Sequence, residues 1–292
     1  MVKRKEKNMT SIQWFPGHMS KARRQVQENL KFVDFVIELV DARLPLSSRN
    51  PMLEKIVGDK PKMILLNKAD LADREAVKQW VHHFENQGLL AIAINSKEGQ
   101  TAKKITAAAQ NLMADKIARN KERGIQNRAL RTMIIGIPNA GKSTLMNRLA
   151  GKKIAVTGNK PGVTKGQQWL RTNKDLELLD TPGILWPKFE DHQVGLKLAL
   201  TGAIKDQLLP MDDVTIFGLS YFIEHYQDAI SKRFNCSDDD LSMETPELIM
   251  ELTKRLGFRE DYDRFYSLFV KEVRDGRLGL YCLDRIDDDT NH

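Results

Sequence analysis

One short stretch constrains this chain more than any other: Gly136-Ile137-Pro138-Asn139-Ala140-Gly141-Lys142-Ser143-Thr144. It fits the pattern G-x-x-x-x-G-K-[ST]. The apolar, β-branched run Thr132-Met133-Ile134-Ile135 precedes it and predicts a strand, while Leu145-Met146-Asn147-Arg148-Leu149-Ala150 predicts a helix after it. Glycines let the backbone curl so that successive N–H groups face an anion, and the helix N-terminus adds its dipole. The expected ligand is a nucleoside triphosphate. Lys142 is placed to reach the β- and γ-phosphates and Ser143 to ligate Mg²⁺. Asn139, Ala140, Gly141 and Thr144 complete the cradle.

Asn67-Lys68-Ala69-Asp70 directly follows Pro61-Lys62-Met63-Ile64-Leu65-Leu66, a buried-strand signature. A carboxylate at Asp70 accepts two hydrogen bonds from N1–H and N2–H₂ of guanine, and adenine offers no such donor pair. Alone, N-K-x-D reads as a turn after a strand; beside a phosphate loop it specifies GTP. Asp180-Thr181-Pro182-Gly183 follows the strand-like Leu176-Glu177-Leu178-Leu179. Asp180 there is suited to hold Mg²⁺ through water and the Gly183 N–H to meet the γ-phosphate, although in isolation the stretch is a Pro-Gly turn. Asn95-Ser96-Lys97, after the apolar run 89–94, is a candidate loop over the base. Thr164, in Pro161-Gly162-Val163-Thr164, is a candidate for a mobile threonine that meets Mg²⁺ and the γ-phosphate.

This set resembles the five motifs of P-loop GTPases, with the base motifs ahead of the phosphate loop. That order marks the circularly permuted GTPases. With Trp14-Phe15-Pro16-Gly17-His18-Met19 near the start, the chain is similar to the ribosome biogenesis GTPase A family from about Ile12 onward. The resemblance implies an α/β fold: a circularly permuted GTPase domain, its parallel sheet flanked by helices, and a C-terminal helical domain. It also implies GTP hydrolysis to GDP and phosphate, stimulated by the maturing large (50S) ribosomal subunit, contact with 23S rRNA, and a late role in subunit assembly. Two other readings stand beside it: an RNA-binding scaffold in which GTP is mainly structural, and a signalling GTPase with protein partners only.

Two positions refine the expected chemistry. Many GTPases follow the D-x-x-G glycine with a glutamine that orients the attacking water; here the residue is Ile184, which cannot. His18 is then the internal candidate for that role, alongside Lys142 and Thr164 as catalytic residues, and its other reading is a helix cap or turn-packing residue. Asn139 resembles the asparagine of GTPases that use K⁺, where the amide oxygen helps ligate the cation; its other reading is a turn-stabilising loop residue.

Charge agrees with an anionic partner: Lys+Arg number 46 against Asp+Glu 39, a net charge of +7. A solvated basic surface would give the same balance. No apolar run approaches the ~18 residues of a membrane span, and no signal-peptide core is present. Cys236 and Cys282 are the only cysteines, so a reduced cytoplasmic protein is expected, without a zinc-type Cys/His pattern. A monomer is expected.

Three segments follow: a charged tail at 1–9, the GTPase domain at 10–187 and a helical RNA- and ribosome-contacting domain at 188–292. Within the first domain a turn at 14–18 leads into a helix whose Met19, Ala22, Val26, Leu30 and Val33 face inward, with Lys21, Arg23 and Arg24 elsewhere. Strands are predicted at 35–40, 61–66 and 89–94, a loop at 44–51, and helices near 73–87 and 100–120. Residues 119–124 read as a polar surface connection, and 152–167 as a loop suited to ordering by a γ-phosphate. The clearest later helices are 247–256 and 262–274. In the last, Phe265, Leu268, Phe269 and Val273 form the apolar face, and Arg264, Lys271 and Arg274 form the opposite face, expected to contact rRNA.

Overall fold

The computed structural model describes residues 16–125, 128–151, 169–172, 175–179, 191–204, 206 and 209–289, with the backbone alone at 16–22 and 288–289. Strands β1 (Phe35–Asp41), β2 (Lys62–Asn67), β3 (Leu90–Ala93), β4 (Leu130–Ile135), β5 (Trp169–Arg171) and β6 (Leu176–Leu179) form one sheet in the order β3-β2-β1-β4-β6-β5. Every pairing is parallel except that of β5 with β6. Strand β1 lies centrally between β2 and β4 and is buried at every position. Its alternate residues feed different cores: Phe35, Ile37 and Leu39 one, Val36 and Val40 those on the opposite face. A strand covered on both faces therefore reads as an unbroken apolar run.

Helices α1 (Pro16–Asn29), α2 (Pro51–Val57), α3 (Arg74–Asn86), α4 (Thr101–Leu112), α5 (Ala114–Glu122) and α6 (Lys142–Ala150) accompany the sheet. Asp73 caps α3 by accepting from the N–H groups of Glu75 and Ala76, and Asn50 caps α2, whose first residue is Pro51. Proline is at home there because a first-turn N–H has no helical acceptor. The expected turn at 14–18 gives way to helix already at Pro16 for the same reason. Two further differences from the sequence reading concern helix length: the helix near 100–120 is interrupted at Met113, and the supposed connection at 119–124 is helical through Glu122.

Beyond residue 190 the described chain is helical: α7 (His192–Leu200), α8 (Met211–His225), α9 (Gln227–Phe234), α10 (Asp238–Leu241), α11 (Thr245–Arg255), α12 (Tyr262–Arg274) and α13 (Ile286–Asp289). In α12, Phe265, Phe269, Val270 and Val273 are buried, while Leu268 is only partly so. The division expected at 187–188 falls among residues outside the described ones. Packing is continuous across it, since one apolar cluster holds Phe35, Leu65 and Ile134 together with Phe222, Phe265 and Phe269.

The chain then returns to the sheet. Tyr281 forms a parallel bridge with Ala72, and the Leu283 N–H donates to the Arg43 carbonyl at 2.8 Å. The buried Asp284 carboxylate accepts from the N–H groups of Leu46 and Ser47, the Ser47 hydroxyl and Lys197 Nζ. Residues 281–284 are thus fastened to the segment following β1.

Candidate nucleotide-binding site

The phosphate loop, the N-K-x-D turn and residues 95–97 follow β4, β2 and β3. They meet at the carboxyl ends of parallel strands, where ligands of such sheets bind. Two glycines make this approach possible. A β-carbon on Gly136 would lie 2.3 Å from the Leu39 carbonyl oxygen, and one on Gly141 would lie 2.3 Å from Asn67 Nδ2. Gly141 also has φ +101 and stands at the N-cap of α6, with no side chain to cap the first turn. The N–H groups of Lys142, Ser143 and Thr144 open that turn and are the natural donors to a phosphate. Lys142 is buried, its Nζ donating to the carbonyls of Gly136 at 3.0 Å and Ile137 at 2.5 Å.

Asn67 ties the motifs together. Its Nδ2 donates to the Ala140 carbonyl at 2.7 Å, and its Oδ1 accepts from the Ser96 N–H at 3.0 Å. The sequence reading placed Asn67 among the nucleotide contacts; the geometry shows both ends of its amide engaged by neighbouring loops. Arg148, on α6, adds a second tie by donating to the carbonyls of Ser96 and Lys97. The Asn95 Oδ1 accepts from the Lys97 N–H, and its carbonyl accepts from Thr101 Oγ1. The Ala69 N–H reaches the Ile94 carbonyl at 3.1 Å, and the short turn Ala69–Leu71 leaves Asp70 exposed.

Asp41 and Arg43, read from sequence only as the end of a strand, form the buried floor beneath Lys68. Asp41 accepts from Arg43 Nε and a terminal guanidinium nitrogen at 2.9 and 2.8 Å, and from Lys68 Nζ at 2.8 Å. Burial opposes the Asp41 charge, but Arg43 and Lys68 outweigh it and hold the carboxyl well below the usual carboxylate range. Arg43 also donates to the Tyr281 hydroxyl at 3.0 Å and to the Thr201 carbonyl at 3.4 Å. Burial is the main reason the Tyr281 phenol is pushed up to about 12.

The Asn139 Nδ2 donates to the Gly202 carbonyl at 2.7 Å, linking the phosphate loop to the helical region. Arg274 does not join a free basic face. Its guanidinium donates to the carbonyls of Leu200 and Ala199 and pairs with both Asp206 oxygens at 3.0 and 2.8 Å. Arg264 and Lys271 are exposed as expected, Arg264 lying 4.3 Å from the Phe258 ring centre. A cavity of about 820 Å³ lies between α9 and the turn after α12, with Lys232, Arg233, Arg277 and Asp228 on its walls, Lys232 lying 3.9 Å from the Asp228 carboxylate. Arg233 there is paired with Glu272.

Ser143 is half-buried in the first turn of α6, a hydroxyl suited to a hard cation shared with phosphate oxygens. Among the described residues no three His, Cys, Asp or Glu gather as a metal site. The backbone of His18 lies in the first turn of α1. Its side chain, and Thr164, Asp180, Gly183 and Ile184 altogether, lie outside the described residues.

The family described as 50S ribosome-binding GTPase matches residues 131–236. That match opens at β4 and leaves out β1 to β3, as a permuted chain order would require. Over nearly its whole length the chain is 52% identical across 277 residues to Ribosome biogenesis GTPase A of Bacillus cereus, covering 92% of each. It is 32% identical across 279 residues to the Thermotoga maritima protein of that name, covering 96% of each. Mitochondrial ribosome-associated GTPase 1 of Mus musculus is 31% identical across 299 residues, covering 93% of this chain and 90% of its own. Of solved structures, GDP-bound TM YlqF superposes with a TM-score of 0.66 at 25% identity, covering 91% of this chain and all of that one. GNP-bound YlqF from T. maritima gives 0.60 at 26%, covering 91% and 98%.

Proposed function

Because the chain belongs to the ribosome biogenesis GTPase A family, we infer that it hydrolyses GTP to GDP and phosphate and uses the nucleotide state to control binding to a maturing large ribosomal subunit. The observation that carries the nucleotide reading is the Asn67 amide, which aligns the phosphate loop, the N-K-x-D turn and residues 95–97. Asp70 reads guanine, with Lys68, Ala69, Asn95, Ser96 and Lys97 around the base. Lys142 and the amides of 139–144 hold the phosphates. Ser143, Thr164 and Asp180 hold Mg²⁺ directly or through water, and Gly183 meets the γ-phosphate. Bound there, Mg²⁺ would supply positive charge to offset that developing on the phosphate oxygens. The Asn139 nitrogen on Gly202 supports an amide oxygen turned the other way, where K⁺ would be ligated.

His18, in the first turn of α1, orients the attacking water when the particle is bound, filling the role that Ile184 cannot. An imidazole can both donate a hydrogen bond to water and accept one from it. The large-subunit precursor and its 23S rRNA are the partners, the protein acts as a cytoplasmic monomer, and the step is late in assembly. The basic excess, the exposed Arg264 and Lys271 and the names of the relatives support a ribosomal partner. No described helix is long and apolar enough to cross a membrane. Single-turnover GTP hydrolysis with and without isolated large subunits tests the reading. Stimulation that is lost in His18→Ala at unchanged GTP affinity supports it. Turnover indifferent to the particle would favour a scaffold in which GTP is structural.

A further inference from the structure

We propose that Asp41 is a positioning residue for the guanine-binding turn, holding Lys68 in place, and that Arg43 couples this grip to Tyr281 of the C-terminal segment. The proposal rests on the reading that Asp70 contacts guanine. Lys68 has φ 62 and ψ 34, a left-handed conformation that a lysine adopts at a cost. Strain of this kind persists only where the surroundings fix it. Here the fixing group is the Asp41 carboxylate, 2.8 Å from Lys68 Nζ. The Lys68 backbone opens directly into the turn Ala69–Leu71 that displays Asp70. If Lys68 relaxes, the turn rotates and Asp70 leaves the position from which it meets two donors of one base edge.

Asp41 in turn has little freedom. Its two oxygens are forked by Arg43, and the side chains of the pair are 4% and 2% exposed. A buried pair of this kind adds little net stability compared with apolar packing, so orientation is its better-supported role. The remaining guanidinium bonds are made to Tyr281 Oη and the Thr201 carbonyl, while the Arg43 carbonyl accepts from the Leu283 N–H. Residues 201 and 281–283 thus hold Arg43 from behind as Asp41 faces forward to Lys68. Docking of the C-terminal segment and binding of guanine nucleotide stabilise one arrangement of Arg43, Asp41 and Lys68. Each must therefore strengthen the other.

The test is a double-mutant cycle on the GDP dissociation constant, using the full chain. Asp41→Asn should raise that constant on the order of tenfold, chiefly through faster release, and should have little further effect once Lys68→Gln is present. Tyr281→Phe keeps the ring and removes only the acceptor for Arg43, so it serves if Asp41→Asn fails to fold. It should raise the constant about threefold, again only when Lys68 is intact. Effects that multiply independently of Lys68 in folded protein would overturn the positioning role, and an unchanged constant in Tyr281→Phe would overturn the coupling. Asp70→Asn separates the two levels. A gain for xanthosine diphosphate with independent effects at Asp41 and Lys68 rejects this proposal alone, whereas no change of base preference rejects the guanine reading beneath it.

Discussion

Asn67 and Ala140, 73 residues apart in the chain, are joined by a 2.7 Å hydrogen bond from the Asn67 amide to the Ala140 carbonyl. The same amide accepts from the Ser96 N–H, so one buried side chain sets the spacing between the base loops and the phosphate loop. Asn67→Ala leaves a buried carbonyl and a buried N–H unmet, each costing ~1–3 kcal/mol. Stability should fall by about 2–6 kcal/mol in chemical denaturation, and GTP affinity should fall with it. Gly141→Ala attacks the same contact from the other side, because its new β-carbon would lie 2.3 Å from Asn67 Nδ2. Nucleotide titration should then show a loss of tenfold or more, on the order of 1.4 kcal/mol. Unchanged binding in both variants would remove Asn67 as the organiser of the site.

Arg274 and Arg264 should behave oppositely although they share α12. Arg274→Ala breaks the tie to Ala199, Leu200 and Asp206 and should cost about 1–3 kcal/mol, seen as a lower melting temperature. Arg264→Glu with Lys271→Glu should lower the melting temperature only slightly, since Lys271 is exposed and the Arg264 contact with the Phe258 ring is worth about 0.5–1 kcal/mol. The exposed pair should instead weaken large-subunit binding and flatten its salt dependence, as fewer phosphates are neutralised. If binding persists, Lys232→Glu with Arg277→Glu at the neighbouring cavity identifies where the phosphate contacts lie.

Acid should expose the Asp41 cluster. A carboxyl whose folded pKa is depressed gives stability that is full above its unfolded pKa and is lost as pH falls toward the folded one. Burial works against the Asp41 charge, yet Arg43 and Lys68 depress it overall. The stability advantage of the wild type over Asp41→Asn should therefore be constant at neutral pH and shrink below about pH 4. Melting temperatures of both proteins across that range measure it. A difference that stays constant down to pH 2 would mean that Asp41 does not gain its stability from the charged form.

Local signals carried most of the fold. The apolar runs of β1, β2 and β4 are legible because central strands are covered on both faces, and the glycines of 136–141 mark a loop that only they can form. The split at Met113 carries no proline or glycine to announce it. In α12 the helical period identified the buried Phe265, Phe269 and Val273, but periodicity names a face without saying what that face meets. Arg274 meets Asp206 and two carbonyls from another segment. Asp41, Arg43 and Tyr281 escaped for the same reason, their pairing spanning 238 residues between Arg43 and Tyr281. Asn67 was found by its motif, yet its part in holding the loops follows only from where Ala140 and Ser96 lie.

Sedimentation of the protein with isolated large ribosomal subunits, compared between GDP and a non-hydrolysable GTP analogue, tests the central claim most directly. The protein should travel with the particles in the presence of the analogue and be released with GDP. In Asp70→Asn the same contrast should follow xanthosine nucleotides in place of guanosine nucleotides. Equal association with GDP, with the analogue and without nucleotide would contradict control of ribosome binding by the guanine-nucleotide state.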